Sequence, residues 1–148
     1  MGVLYDVMLN DEIHTQVVSD YMALISNQVQ RTSGPSGMVI KTAYKALKGV
    51  KPGYIEEVVE ILLPSFMTVL DGHYEEYNEN GAKAPFHVWI EGRSPAVADQ
   101  LLEITDEVIQ HADKKVVVKV YKGVRKIAKK HVTAAIPDMA AVTMKYMD

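Results

Sequence analysis

The chain has 148 residues, 48% of them apolar and 24% charged, with a formal net charge of −3. That length and balance suit one soluble globular domain, large enough to bury a core without a staple. Cysteine is absent, which excludes disulfides, thiol nucleophiles and Cys-ligated zinc and fits a reducing, cytoplasmic setting.

The first residues, "MGVLYDVMLNDEIH", carry neither a basic region nor a long apolar run, so a secretory signal is not expected. Asp6 stands where a myristoylation signal takes Ser or Thr. No apolar run approaches the roughly 20 residues of a membrane helix, and no membrane partner is expected.

Asp11 is placed to cap a helix in which Ile13, Val17, Val18, Tyr21, Leu24, Ile25 and Val29 recur at helical spacing. "TSGPSG", residues 32–37, reads as a loop. Ile40, Ala43, Tyr44, Leu47 and Val50 form the next stripe, with Lys41, Lys45 and Lys48 on the other side. "GVKPG" stops that helix, because Pro52 disfavours helical geometry at Lys51. Ile55, Val58, Val59, Leu62 and Leu63 begin another stripe, which Pro64 either ends or follows with a new helix. Residues 78–85 read as a linker. "FHVWIEGR", residues 86–93, is open between short helix and strand. Ser94 and Pro95 read as N-cap and first helical residue of an element carrying Val97, Leu101, Ile104, Val108 and Ile109. "KKVVVKVY" is β-branched, yet Val116, Val117, Val120, Tyr121, Val124, Ile127 and Ala128 keep a helical period over more than three turns, so a helix is predicted. A last pair of helices is expected to flank Pro137. The chain thus reads as all-α.

It also reads as internally duplicated. Tyr44, Lys45, Leu47, Lys48 and Val50 match Tyr121, Lys122, Val124, Arg125 and Ile127 at an offset of 77. Val18, Asp20, Ile25, Ser26 and Val29 match Val97, Asp99, Ile104, Thr105 and Val108 at 79, and Pro64 matches Pro137 at 73. The drop of four residues is about one helical turn. The expectation is a helical bundle of two similar halves, about 1–77 and 86–148, packed about a pseudo-twofold axis. Neither half buries its apolar faces well alone.

"VKPGYIEEVVEILLPSF", "VADQLLEITD" and "KKHVTAAIP" resemble an uncharacterised family of small, helical bacterial proteins, over most of the chain. The resemblance implies an all-α bacterial domain of unknown function and transfers no catalytic residue.

No nucleotide-binding, nucleophile-elbow or HExxH pattern is present. Tyr44–Lys45 and Tyr121–Lys122 resemble an acid–base pair, but the tyrosines lie on the apolar stripe and the lysines off it, so packing is the better account. His73, His87, Asp71, Glu75, Glu76 and Glu91 lie near the linker and offer metal-ligand chemistry, though solvated helix ends explain them as well. We expect no catalytic residue, metal or cofactor.

Charge is unevenly placed: 12 of the 16 basic residues fall in 41–51 and 114–130. Lys41, Lys45, Lys48, Lys115, Lys119, Lys122, Arg125 and Lys126 form two basic helix faces, the best candidates for binding phosphates. The acidic chain and the lack of a nucleic-acid module argue against that use. Those faces can instead pair with acids such as Glu56, Glu57, Glu60, Glu103, Asp106 and Glu107. The eight methionines raise a third option, an apolar ligand held between the halves. The leading expectation is a non-enzymatic interaction or scaffold protein with an unknown protein partner. Homodimerisation is suggested by the apolar segment 139–147.

Overall fold

A computed structural model describes residues 2–147, and among them there is no strand. The helices are α1 (Val3–Met8), α2 (His14–Arg31), α3 (Gly34–Lys48), α4 (Tyr54–Glu79), α5 (Phe86–Trp89), α6 (Ser94–Ile109) and α7 (Lys115–Met144), with a 3₁₀ turn, Ile90–Arg93, joining α5 to α6. The all-α expectation holds, and the β-branched run at 116–118 is helical.

Several boundaries differ from the sequence reading, each for a local reason. Asp11 does not cap α2. The Asn10 carboxamide oxygen accepts from the Glu12 N–H at 2.9 Å, and helix α2 starts after that turn at His14. "TSGPSG" is mostly helix. Only Thr32 and Ser33 separate α2 from α3, and Pro35 sits in the first turn, where its missing N–H costs nothing. Gly37 is buried against the Thr32 backbone, closer than a Cβ would tolerate, which is how so short a connection folds back.

"VKPG" does stop α3, and Gly53 takes the left-handed φ of 74° before α4. Neither Pro64 nor Pro137 ends a helix. Each lies inside one, α4 and α7, where it removes a bond to the carbonyl four residues back. Packing on the facing helices outweighs that loss. The linker begins two residues late, since α4 runs to Glu79, and Tyr77 Oη donates to the Ala84 carbonyl at 2.6 Å across it. Residues 86–93 resolve as helix and 3₁₀ turn. Ser94 is no cap. It is helical (φ −52°, ψ −43°), and its buried hydroxyl has no partner among the described residues.

The helices α2 and α6 each pack on both α4 and α7, while α1 lies on α4 and α5 on α7. The closed core gathers Leu4, Met8, Val17, Val18, Tyr21, Leu63, Met67, Leu70, Phe86, Ile90, Val97, Leu101, Ile136 and Ala140. Met67 and Met139 fill it, whereas Met38 is 64% exposed. Met144, Tyr146 and Met147 fold onto the same core. The apolar C-terminal segment therefore covers its surface within the chain, and the dimer expectation loses the feature that motivated it.

Helix α3 stands apart. Its only buried residue is Gly37. It runs antiparallel to the first part of α7: Ser36 meets His131 at 3.2 Å, and Tyr44 and Leu47 share a wall with Val117, Val120 and Tyr121.

Candidate ligand cleft

The apolar stripes of α3, the start of α4 and the start of α7 face one another without closing. Ile40, Ala43, Tyr44, Leu47, Tyr54, Val58, Leu62, Val120 and Val124 are all only half-buried. A cavity of about 630 Å³ lies between them, and one of about 480 Å³ lies beside it, between α2, α4 and the later part of α7. Val29, Ile40, Val58 and Leu62 belong to the walls of both, so the cavities adjoin. Their sizes fall within the ~300–1,000 Å³ of ordinary ligand sites. Ile61 and Val108, on the wall of the larger one, remain 54% and 37% exposed, so the cleft opens to solvent between α4 and α6.

The smaller cavity is apolar in its body, with Leu24, Ile25, Leu63, Phe66, Ala135 and Met139, and polar at one end. That end holds Gln28, Arg31, Thr32, Ser33, Lys130 and His131. Thr32 is committed to the Val29 carbonyl at 2.7 Å, whereas Ser33, at the N-cap of α3, makes no side-chain capping bond. Arg31 and Gln28 both donate to Asp138 Oδ2, at 3.2 and 2.6 Å. Burial, helped by the neighbouring Lys130, holds the His131 imidazole below its usual pKa, so it is neutral near pH 7.

The larger cavity has a mixed rim. Lys51 pairs with Glu57 at 2.7 Å, and Asp113 and Lys114 stand nearby on the wall. Tyr121 Oη lies 2.6 Å from Thr105 Oγ1 and donates to Asp106. Burial first, and that carboxylate second, push the Tyr121 phenol up. Neither Tyr44–Lys45 nor Tyr121–Lys122 forms a catalytic pair: Lys45 and Lys122 are exposed while both tyrosines line the cleft.

The predicted basic residues divide. Arg125 forms a two-point pair with Asp106, so it joins α7 to α6. Lys41, Lys45, Lys48, Lys115, Lys119, Lys122 and Lys126 are exposed and make no ion pair with a described residue. Lys48 lies 5.4 Å from the Tyr44 ring centroid. Of the acids expected to answer the basic faces, Asp106 does so, through Arg125, while Glu57 pairs with Lys51, outside those faces.

The linker-proximal histidines do not converge on a metal site. Among the described residues no group of three or more His, Asp and Glu is placed to hold an ion. Both Asp71 oxygens accept backbone N–H bonds at the start of α1. The Arg93 guanidinium lies 3.4 Å from His73 Nδ1, so that nitrogen accepts, and Nε2 donates to Gln100 Oε1 at 2.7 Å. Arg93 also pairs with Glu76 and covers the Trp89 ring at 4.4 Å. Tyr74, Tyr77, Phe86 and Trp89 pack edge-on and stacked beneath it and join the two ends of the linker.

The cleft residues were visible in the sequence only as helix stripes. The available signal is residue size: Ala43 and Ala135 stand half-buried on the cleft walls, where a closed interface needs bulk.

No helix among the described residues is long and apolar enough to cross a membrane. No curated protein and no solved structure matches the chain. A family model described as a family of unknown function matches residues 4–147, nearly the whole length, and the chain belongs to that family, DUF6918.

Proposed function

We propose that this protein binds an apolar small molecule in the cleft between α2, α3, α4, α6 and α7, without transforming it. The observation that carries the reading is the pair of adjoining, largely apolar cavities beside a closed core. The cleft leaves apolar side chains of five helices open to solvent, and an apolar occupant would remove that surface from water. Helix α3 is the element best suited to admit one, since its side chains contribute nothing to the closed core. This is a non-enzymatic role, and we place it in the cytoplasm on the cysteine-free composition. The exposed lysines stay available to anions, but nothing in their placement favours nucleic acid over water.

Native mass spectrometry of freshly purified protein tests the reading together with thermal unfolding against 1-dodecanol. The expected results are a co-purifying small mass or a rise in melting temperature that grows with dodecanol concentration. A bare chain whose melting point ignores the alcohol overturns it.

We also infer that the two halves descend from one duplicated unit. Burial supports this more closely than residue type does. Leu63, Met67 and Leu70 and their counterparts Ile136, Ala140 and Thr143 are all buried, at the offset of 73. Val17, Val18 and Tyr21 answer Val97, Ala98 and Leu101 at 80, and Leu4 and Met8 answer Phe86 and Ile90 at 82. The burial offset in α2 and α6 is thus one residue longer than the residue-type match. The four-residue drop falls at "VKPG", where α3 and α4 part while α7 runs on unbroken. Superposing the halves of an experimental structure tests this: a rotation near 180° is expected, and unrelated helix directions overturn it.

A further inference from the structure

We propose that the cleft's ligand is a single-chain fatty carboxylate, with its head group held at the α2–α3 corner by Arg31 and Lys130. The inference rests on the apolar-ligand reading above and adds the sign and position of the ligand's charge. The argument is charge complementarity. The wall of the smaller cavity contains two cations, Arg31 and Lys130, and no carboxylate; Asp138, just off the wall, partly offsets Arg31, which leaves a net positive charge at that end. The wall of the larger cavity carries both signs, Lys51 and Lys114 against Glu57 and Asp113. An anionic head is therefore favoured at one end only.

The donors at that end are uncommitted enough to serve. Arg31 has five N–H donors and gives a single 3.2 Å contact to Asp138, with its side chain 70% exposed. Lys130 makes no ion pair with a described residue. The Ser33 hydroxyl caps nothing. A guanidinium fork and a hydroxyl match a planar carboxylate. Behind them the wall turns apolar and leads through Val29, Ile40, Val58 and Leu62 into the second cavity, the path of a linear chain rather than a compact ring.

The test is calorimetric titration of the full chain with dodecanoate, 1-dodecanol and dodecyltrimethylammonium at low and high salt. Dodecanoate is expected to bind roughly tenfold more tightly than dodecanol at low salt, the scale of one charge-assisted contact. The advantage should shrink at high salt. Lys130→Gln leaves the Arg31–Asp138 contact intact and should reduce dodecanoate affinity several-fold. Arg31→Gln with Lys130→Gln should bring dodecanoate down to the level of dodecanol, with dodecanol unchanged. Equal binding of acid and alcohol, or tighter binding of the ammonium, overturns the head-group assignment and leaves the cleft reading standing. Failure of all three probes overturns the cleft reading itself. A double variant that loses acid and alcohol alike also overturns the assignment.

Discussion

Asp71, in the middle of α4, caps a helix that lies 67 residues earlier in the chain: its carboxylate accepts the Leu4 N–H at 2.7 Å and the Tyr5 N–H at 2.9 Å. The six-residue α1 is too short to hold itself in water. It is fixed by this carboxylate and by the burial of Leu4 and Met8. Asp71→Ala should cost about 1–2 kcal/mol, and Asp71→Asn, which keeps one acceptor, clearly less. Gly2→Ala should act on the same contact, because a Cβ there would overlap the carboxyl. Urea unfolding checks all three; an Asp71→Ala chain as stable as the parent would refute the cap.

Acid should weaken the fold over two separable pH windows. The His131 imidazole is depressed in the fold, so it favours folding fully above its ordinary 6.5, and that contribution fades as pH falls below 6.5. The Asp106 carboxyl is held below its ordinary 3.8, by Arg125 first and Tyr121 second, so its contribution persists until pH drops below 3.8. Asp20, bonded by Tyr146, and Glu76, bonded by Arg93, titrate on the same side. His131→Gln should flatten the first window and leave the second. Arg125→Met should cost under about 1 kcal/mol at pH 7, since both partners are two-fifths exposed. That difference should close as pH falls through the second window. Urea midpoints from pH 7 to 3 decide; a difference that stays constant would mean Arg125 acts by packing alone.

Sequence periodicity identified the inward face of the longer helices, including the valine-rich start of α7, where the period of Val117, Val120 and Val124 outweighed β-branching, although Val108 and Val116 of the same stripes are exposed and α1 carried no stripe at all. It misread Pro64 and Pro137, because a rule about local backbone bonds cannot weigh the packing of Leu63 and Ile136 beside them. It misread "TSGPSG" for a similar reason: Pro35 is a helix breaker inside a helix and a helix starter in its first turn. The cleft was hidden by the nature of the signal. A stripe such as Ile40, Ala43, Tyr44 and Leu47 records that a face avoids water. Whether the opposing faces meet depends on the distance between helices, which no single helix encodes. The lysine rows were legible as exposed faces, but the commitment of Arg125 to Asp106 needed the pairing of α6 with α7.

Tyr21 and Thr143 form a buried pair between α2 and α7, and the two partners are not equivalent. Thr143 Oγ1 spends its hydrogen on the Met139 carbonyl at 2.9 Å, so Tyr21 Oη is the donor between them. Burial pushes the Tyr21 phenol up far beyond its ordinary value, and it stays neutral throughout the working range. Tyr21→Phe removes the donor and leaves Thr143 still bonded to Met139, at a cost of about 1 kcal/mol. Thr143→Val strands a buried hydroxyl and should cost more, about 1–3 kcal/mol. The order of the two losses in urea unfolding is the check; a costlier Tyr21→Phe would reverse the donor assignment.

Filling the smaller cavity separates its stability role from its binding role. Ala135, on α7, lines that cavity together with Leu24 and Phe66 and is half-buried. A closed core punishes added bulk by about 1–3 kcal/mol, whereas a void rewards it by roughly 0.5–2 kcal/mol. Ala135→Leu should therefore raise the melting temperature, by several degrees for a domain of this length. The same side chain removes volume a ligand needs, so dodecanol should then shift the melting point less than it does in the parent. Together the two readouts are diagnostic: greater stability with weaker binding is the mark of an occupied site that is empty without its ligand, while lower stability would show that Ala135 faces a packed wall.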